Sequence, residues 1–287
     1  MENIIARDNR HLKDLIEEGI RVNGIQCDLN HIDICNITNL NYMFFASEFN
    51  GDISKWNTSN VTSLEGMFAY SKFNGDISEW DVSNVTNMNG TFSGTVFNQD
   101  ISSWNVSKVK NMCKLFSQST FNRDISNWDV SNVKDMAEMF IQSKFSRDIS
   151  QWNTSSVINM QGMFARTYFN GDISNWNVSS VENMSEMFSR STFNQDITKW
   201  NVSNVKDMKQ MFYRSSLTID LSMWTPYKAT DIKKSFIQSK MPKPCWYKCK
   251  TLEDKEKAFL EYRIKTMKNE LNEELNINVS SGKKLKI

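Results

Sequence analysis

Residues 73–96 read FNGDISEWDVSNVTNMNGTFSGTV, and the same 24-residue text returns before and after them without an insertion. Trp56, Trp80, Trp104, Trp128, Trp152, Trp176, Trp200 and Trp224 stand 24 residues apart, and Ile32 holds that column one step earlier. Asp28 opens a second column that runs through Asp52, Asp76 and Asp100 to Asp220. Phe44 opens a third, ending at Phe236, and Val61 to Val205 form a fourth, with Ile37 before it and Ala229 after it. A fixed period of this length marks an array of stacked units, which decides the architecture before any local pattern is weighed.

Within one unit, Phe73-Asn74-Gly75-Asp76-Ile77-Ser78 mixes apolar with small polar residues and predicts a short strand. Val85, Met88 and Phe92 follow at spacings of 3 and 4, which predicts a helical or 3₁₀ turn capped by Ser83 or Asn84. So small a unit cannot enclose its own apolar face. Stacking lets Phe73, Ile77, Trp80, Val82, Val85, Met88 and Phe92 meet their counterparts above and below. The Asp column has two readings, a ladder of metal sites or a set of turns in which Asp accepts backbone N–H groups. The turn reading is preferred, and the neighbouring Asn50, Asn74, Asn98, Asn122, Asn170 and Asn194 fit it too.

The expected organisation is a capping helix in residues 1–26, nine repeats in 27–241 and a helical segment in 242–287. Asp8 caps the first helix, Leu12, Leu15, Ile16 and Ile20 recur on it, and Gly24 stops it. All three prolines fall near the other end of the array. Beyond them Thr251-Leu252-Glu253-Asp254 resembles a capping box. Leu260, Ile264, Met267, Leu271 and Leu275 then form a seam that either caps the last unit or meets a second copy in a homodimer. Lys283 to Ile287 is expected to fray.

The stretches FNGDISKWNTSNVTSLEGMF (Phe49–Phe68) and FNGDISEWDVSNVTNMNGTF (Phe73–Phe92) resemble the BspA-like leucine-rich-repeat family, whose surface-protein repeats run to about 25 residues. The resemblance extends through Phe212 and beyond. It implies an α/β repeat solenoid, a right-handed stack with a parallel strand on one wall, here made of nine strand–helical-turn units with helical caps at both ends. Members are mostly surface adhesins that bind host proteins; others, without export signals, are encoded by phages and mobile elements. This chain departs from the surface members by lacking a lipobox or anchor, and it uses Ile, Val, Met and Phe where regular Leu positions would stand.

Its opening residues lack the basic start and apolar run of a secretory signal, and no stretch is apolar enough to span a bilayer. Five sparse cysteines suit a reducing compartment, so a cytoplasmic setting is expected. A net charge of +1 gives no general pull toward nucleic acid or anionic membrane. Lys108, Lys110 and Lys114 make a basic patch, but Asp76, Glu79 and Asp81 in the preceding unit break any phosphate-tracking stripe. His11 and His31 sit in no recognisable triad, no phosphate-loop motif occurs, and Cys245 and Cys249 lack two further ligands for zinc. No catalysis, cofactor or metal is therefore expected.

Recognition of a protein partner is the expected function. The core leaves free choices at the position before the invariant Asp and the position before the Trp, where copies differ. Arg123 and Arg147, one unit apart, are the leading contact candidates, with Lys55, Glu79, Gln99, Gln151 and Lys199 beside them. A phage or mobile-element protein aimed at a host or defence protein would suit the family branch. An exported adhesin, or an enzyme or ligand binder with a pocket around Cys245 to Tyr262, are the alternatives.

Overall fold

A computed structural model describes the backbone of residues 3–282 and the side chains of residues 3–273. Nine coils begin at Ile25, Phe49, Phe73, Phe97, Phe121, Phe145, Phe169, Phe193 and Leu217, and each lies on the next. Single parallel bridges mark the stacking: Asn39 pairs with Ser63, Ser63 with Asn87, and so on in 24-residue steps to Asp231.

One interior runs through all nine coils. In the fifth, Phe121, Ile125, Trp128, Val130, Val133, Met136, Met139 and Phe140 are all buried. Successive phenylalanines stack along the array, with ring centroids 5.8 Å apart for Phe92 and Phe116 and 6.0 Å for Phe116 and Phe140. A second Phe column interleaves with it, Phe116 and Phe121 lying 4.0 Å apart. At about 25 cal/mol per Å² of apolar area, this shared spine is the main offset to the entropy of ordering units that have no private core.

The secondary structure within a coil differs from the sequence reading. Phe73–Ser78 is not a strand, and residues 85–92 are not a helix. Residues 87–94 instead form tandem tight turns. The amides of Met88, Gly90, Phe92 and Gly94 donate to carbonyls of the next coil, at Asn111, Cys113, Leu115 and Ser117. Those of Thr91 and Ser93 donate three residues back, to Met88 and Gly90. Two residues per coil carry this turn in the left-handed region, as Lys114 (φ 56°) and Gln118 (φ 54°) do in the fourth. A left-handed residue every fourth position breaks the i to i−4 ladder of a helix and turns alternate N–H groups toward the neighbouring coil.

The ends are closed differently. A two-residue strand β1 (Ile4–Ile5) pairs in parallel with β2 (Ile32–Asp33) of the first coil. Helix α1 (Asn9–Asn23) follows, its N-terminus capped by Asp8, whose carboxylate accepts the His11 amide at 2.8 Å, and it ends at Gly24 (φ 83°). Leu12 and Ile16 are buried against the first coil. Gly19 permits the close approach, since a Cβ there would lie 2.6 Å from Leu29 Cδ2.

At the other end a 3₁₀ turn (Cys245–Lys248) leads into α2 (Leu252–Gly282). Thr251 and Asp254 form the reciprocal cap, at 3.0 and 3.3 Å. The closing contacts of α2 do not come from the Leu260–Leu271 seam. Lys255 is buried and donates to the carbonyls of Pro226 and Ala229, at 3.2 and 2.9 Å, and Tyr262 donates to Asp220 at 2.9 Å. Leu260, Ile264, Met267 and Leu271 are exposed, so the capping role expected of them belongs to another face of the helix. The Leu275 side chain and the Lys283–Ile287 end lie outside the described residues.

Candidate functional site

Two opposite sides of each coil compete for the role of contact surface. The first is the Asp–Trp side, where variable positions precede the Asp and the Trp. All nine column aspartates accept the amide two residues on, as Asp124 does from Ser126 at 2.9 Å. This bond to a backbone N–H is the first cause that holds Asp52, Asp100, Asp124, Asp172 and Asp196 below the usual carboxylate range. The Asp column is thus a set of turns. The tryptophans act between coils: Trp128 Nε1 donates to the Ile101 carbonyl at 3.1 Å, and every column Trp repeats the bond. Trp246, outside the period, donates to Leu221 and completes the row. Asparagines tie the same side together, Asn98 accepting from the Asn122 amide and Asn122 from the Ser146 amide.

The position before the Asp is drawn into this scheme. Gln99 donates to the Asn74 carbonyl, Arg123 to that of Asn98 and Arg147 to that of Asn122, at 3.0, 2.8 and 2.8 Å. Where the column holds Gly51, a Cβ would meet the Cys27 carbonyl at 2.0 Å, so that coil has no room for a side chain there. Arg123 and Arg147 share a shallow polar recess with Asp100, Ser102 and Asp124. Their positive charge faces that acid ladder, Arg123 against Asp100 and Arg147 against Asp124. Lys55, Glu79, Gln151 and Lys199 are exposed on the same side, and their mix of cation, anion and neutral amide makes no stripe of one sign.

The second side is the left-handed turn edge. Here the backbone supplies its own partners and most side chains project outward, although Tyr42 Oη donates to Glu65 at 2.6 Å and Arg214 Nε donates to Gln238. At the N-terminal end Tyr42, Phe45 and Tyr70 are 52 %, 49 % and 55 % exposed, far more than the interior aromatics. Phe45 packs edge-on to both tyrosines, 6.1 and 5.9 Å from them. They border a recess with Gly66, Gly90 and Lys114. At the C-terminal end Arg166, Arg190 and Arg214 occupy one left-handed position in three consecutive coils, with φ of 57°, 57° and 55°. All three are exposed. Arg190 and Arg214 lie over the Tyr213 ring at 5.6 and 5.3 Å, and Tyr168 beside Arg166 is 84 % exposed. Among the described residues none of the three arginines has a carboxylate within ion-pair distance.

Sequence reasoning missed this edge because a predicted helix was laid across it. The signal was present as arginine at residues 166, 190 and 214, the array's own period. The basic patch at Lys108, Lys110 and Lys114 is partly spent, with Lys108 on Asn84 and Lys114 3.8 Å from Glu138.

Near the C-terminus a cleft of about 650 Å³ is lined by Tyr227, Lys233, Tyr247, Lys250 and Lys255 among others. Cys245 and Cys249 adjoin this segment as thiols, burial pushing both up, and their sulfurs face carbonyls of Ser222 and Cys245. Among the described residues no group of three or more His, Cys, Asp or Glu is placed to hold a metal ion. No described helix is long and apolar enough to cross a membrane.

A stack of near-identical coils around one shared interior defines a repeat protein. Four overlapping stretches, residues 20–119, 71–167, 96–189 and 142–245, match one family model, described as Mycoplasma protein of unknown function, DUF285, and the chain belongs to that family. Neither a curated protein nor a solved structure matches it.

Proposed function

We propose that the chain is a non-catalytic recognition scaffold, a right-handed solenoid of the BspA-like leucine-rich-repeat type that grips a protein partner along its left-handed turn edge. The observation that carries this reading is the ladder of Arg166, Arg190 and Arg214, unpaired with acid among the described residues, with exposed Tyr168 and half-buried Tyr213 close to it in the sequence. Arginine and large aromatics are the side chains that dominate binding energy at protein interfaces. The edge carries aromatic anchors at one end and guanidiniums at the other. It suits an extended segment with an apolar anchor and acidic residues spaced to meet successive coils. With coils about 4.8 Å apart, Tyr42 to Arg214 spans roughly 34 Å, about the length of ten extended residues.

A cytoplasmic setting and a host or defence protein as target extend the same reading, and the five free cysteines are consistent with a reducing compartment. A second reading, a binder of a small anionic ligand, rests on the lysine-lined cleft at the C-terminal junction.

Photocrosslinking tests the choice of side. A benzophenone side chain placed at Tyr70 or Arg190 should capture the partner from lysate, whereas one at Glu79 or Gln151 should not. Changing Arg166, Arg190 and Arg214 together to Glu should weaken capture by about tenfold or more with the melting temperature little changed. Capture only from Glu79 and Gln151, or undiminished capture by the triple variant, contradicts the assignment.

A further inference from the structure

Helix α2 has two faces of different character. At 100° per residue, Lys255, Phe259, Tyr262 and Thr266 fall on one side, the side that holds the last coil through Lys255 and Tyr262. Leu260, Ile264, Met267 and Leu271 fall roughly 150° away, pointing from the array. Each of these four is between 45 % and 60 % exposed. Their spacing of 4, 3 and 4 is that of a coiled-coil seam. An apolar seam that, among the described residues, takes no part in the core of its own chain needs an occupant. The charges beside it select one.

We propose that α2 pairs with α2 of a second copy of this chain, antiparallel, in a two-fold symmetric dimer. If Leu260 packs on Leu271 of the second copy and Ile264 on its Met267, the flanking positions bring Arg263 opposite Glu270 and Glu261 opposite Lys268. Symmetry repeats both pairs, giving four attractive contacts. The parallel alternative sets Arg263 against Lys268 and Glu256 against Glu261, repulsive at both of these charged contacts. Within the chain, among the described residues, none of Glu261, Arg263, Lys268 and Glu270 has an ion-pair partner. Arg263 is held over the Phe259 ring at 5.9 Å, on the flank of the seam. A two-fold pairing of this kind closes on itself.

Sedimentation equilibrium of the full chain over a wide concentration range tests the proposal. The wild type should move from monomer to dimer mass as concentration rises. Ile264→Glu with Met267→Glu should remain a monomer and melt as the wild-type monomer does, because neither residue belongs to the core of the array. Arg263→Glu should raise the dimer dissociation constant by about tenfold, since two symmetric contacts turn repulsive. Adding Glu270→Arg should restore it. Monomer mass at every concentration, dimerisation that survives the seam variant, or a tighter dimer with Arg263→Glu would each overturn the antiparallel assignment.

Discussion

The Asp–Trp side and the left-handed turn edge belong to the same coils, yet they solve the problem of buried polar backbone in opposite ways. On the Asp–Trp side the side chains make the bonds: Asp124 takes the Ser126 amide, Trp128 serves the Ile101 carbonyl and Asn98 takes the Asn122 amide. Change the residue and the bond goes, so the columns repeat. On the turn edge the main chain serves itself, Lys114, Phe116 and Gln118 donating to Ala137, Met139 and Ile141 of the next coil. The side chain is then free of that bonding duty, at the cost of holding a non-glycine residue left-handed, about 1 kcal/mol or more each. Variation between repeats therefore locates the surface on which a partner can be read. It does so only after the structure shows which variable positions are already committed, as Arg123 and Arg147 are.

The largest break in this arrangement should come from the interior that both sides share. Phe116 packs on rings of both neighbouring coils, Phe92 on one side and Phe121, Trp128 and Phe140 on the other. Phe116→Ala should lower unfolding stability by about 3–5 kcal/mol in urea denaturation, because neighbouring coils locked in register cannot collapse into the gap. A smaller change would mean the columns are less tightly packed than their ring spacings imply.

A smaller effect separates the two sides. Asp124→Ala should cost roughly 0.5–1 kcal/mol, the net worth of one exposed hydrogen bond to the turn amide. That contribution depends on pH in a defined direction. The folded state holds the Asp124 carboxyl below the unfolded value, so its stabilisation is present above about pH 4 and is lost as pH falls through the folded pKa. Stability of the wild type should thus decline in acid more steeply than that of Asp124→Ala, measured by thermal melts from neutral pH downward. Parallel slopes would show that this column is not ionically engaged.

The period, the interior columns and the terminal helix with its Asp8 and Gly24 boundaries were legible in the sequence, because each is written in residue type at fixed spacing. The path of the chain inside a coil was not. Val85, Met88 and Phe92 recur at 3 and 4 in an amphipathic helix and equally in tandem four-residue turns, since both return the chain to the core at that interval. Gly66, Gly90, Gly94 and Gly162 fall in the two columns that prove left-handed, a sign that helix periodicity overrode. The candidate surface was lost with it, because Tyr42, Tyr70 and the three arginines all occupy those same two columns.

Amide hydrogen exchange on the central coils tests the account most directly. Lys114 and Gln118 carry exposed side chains, yet their amides are bonded to the next coil at 2.8 Å each. They should be protected by orders of magnitude, close to the buried Trp128 amide, because opening them requires separating two coils. Exchange of Lys114 and Gln118 at the rate of a free peptide, with Trp128 still protected, would contradict an edge stapled by its own backbone.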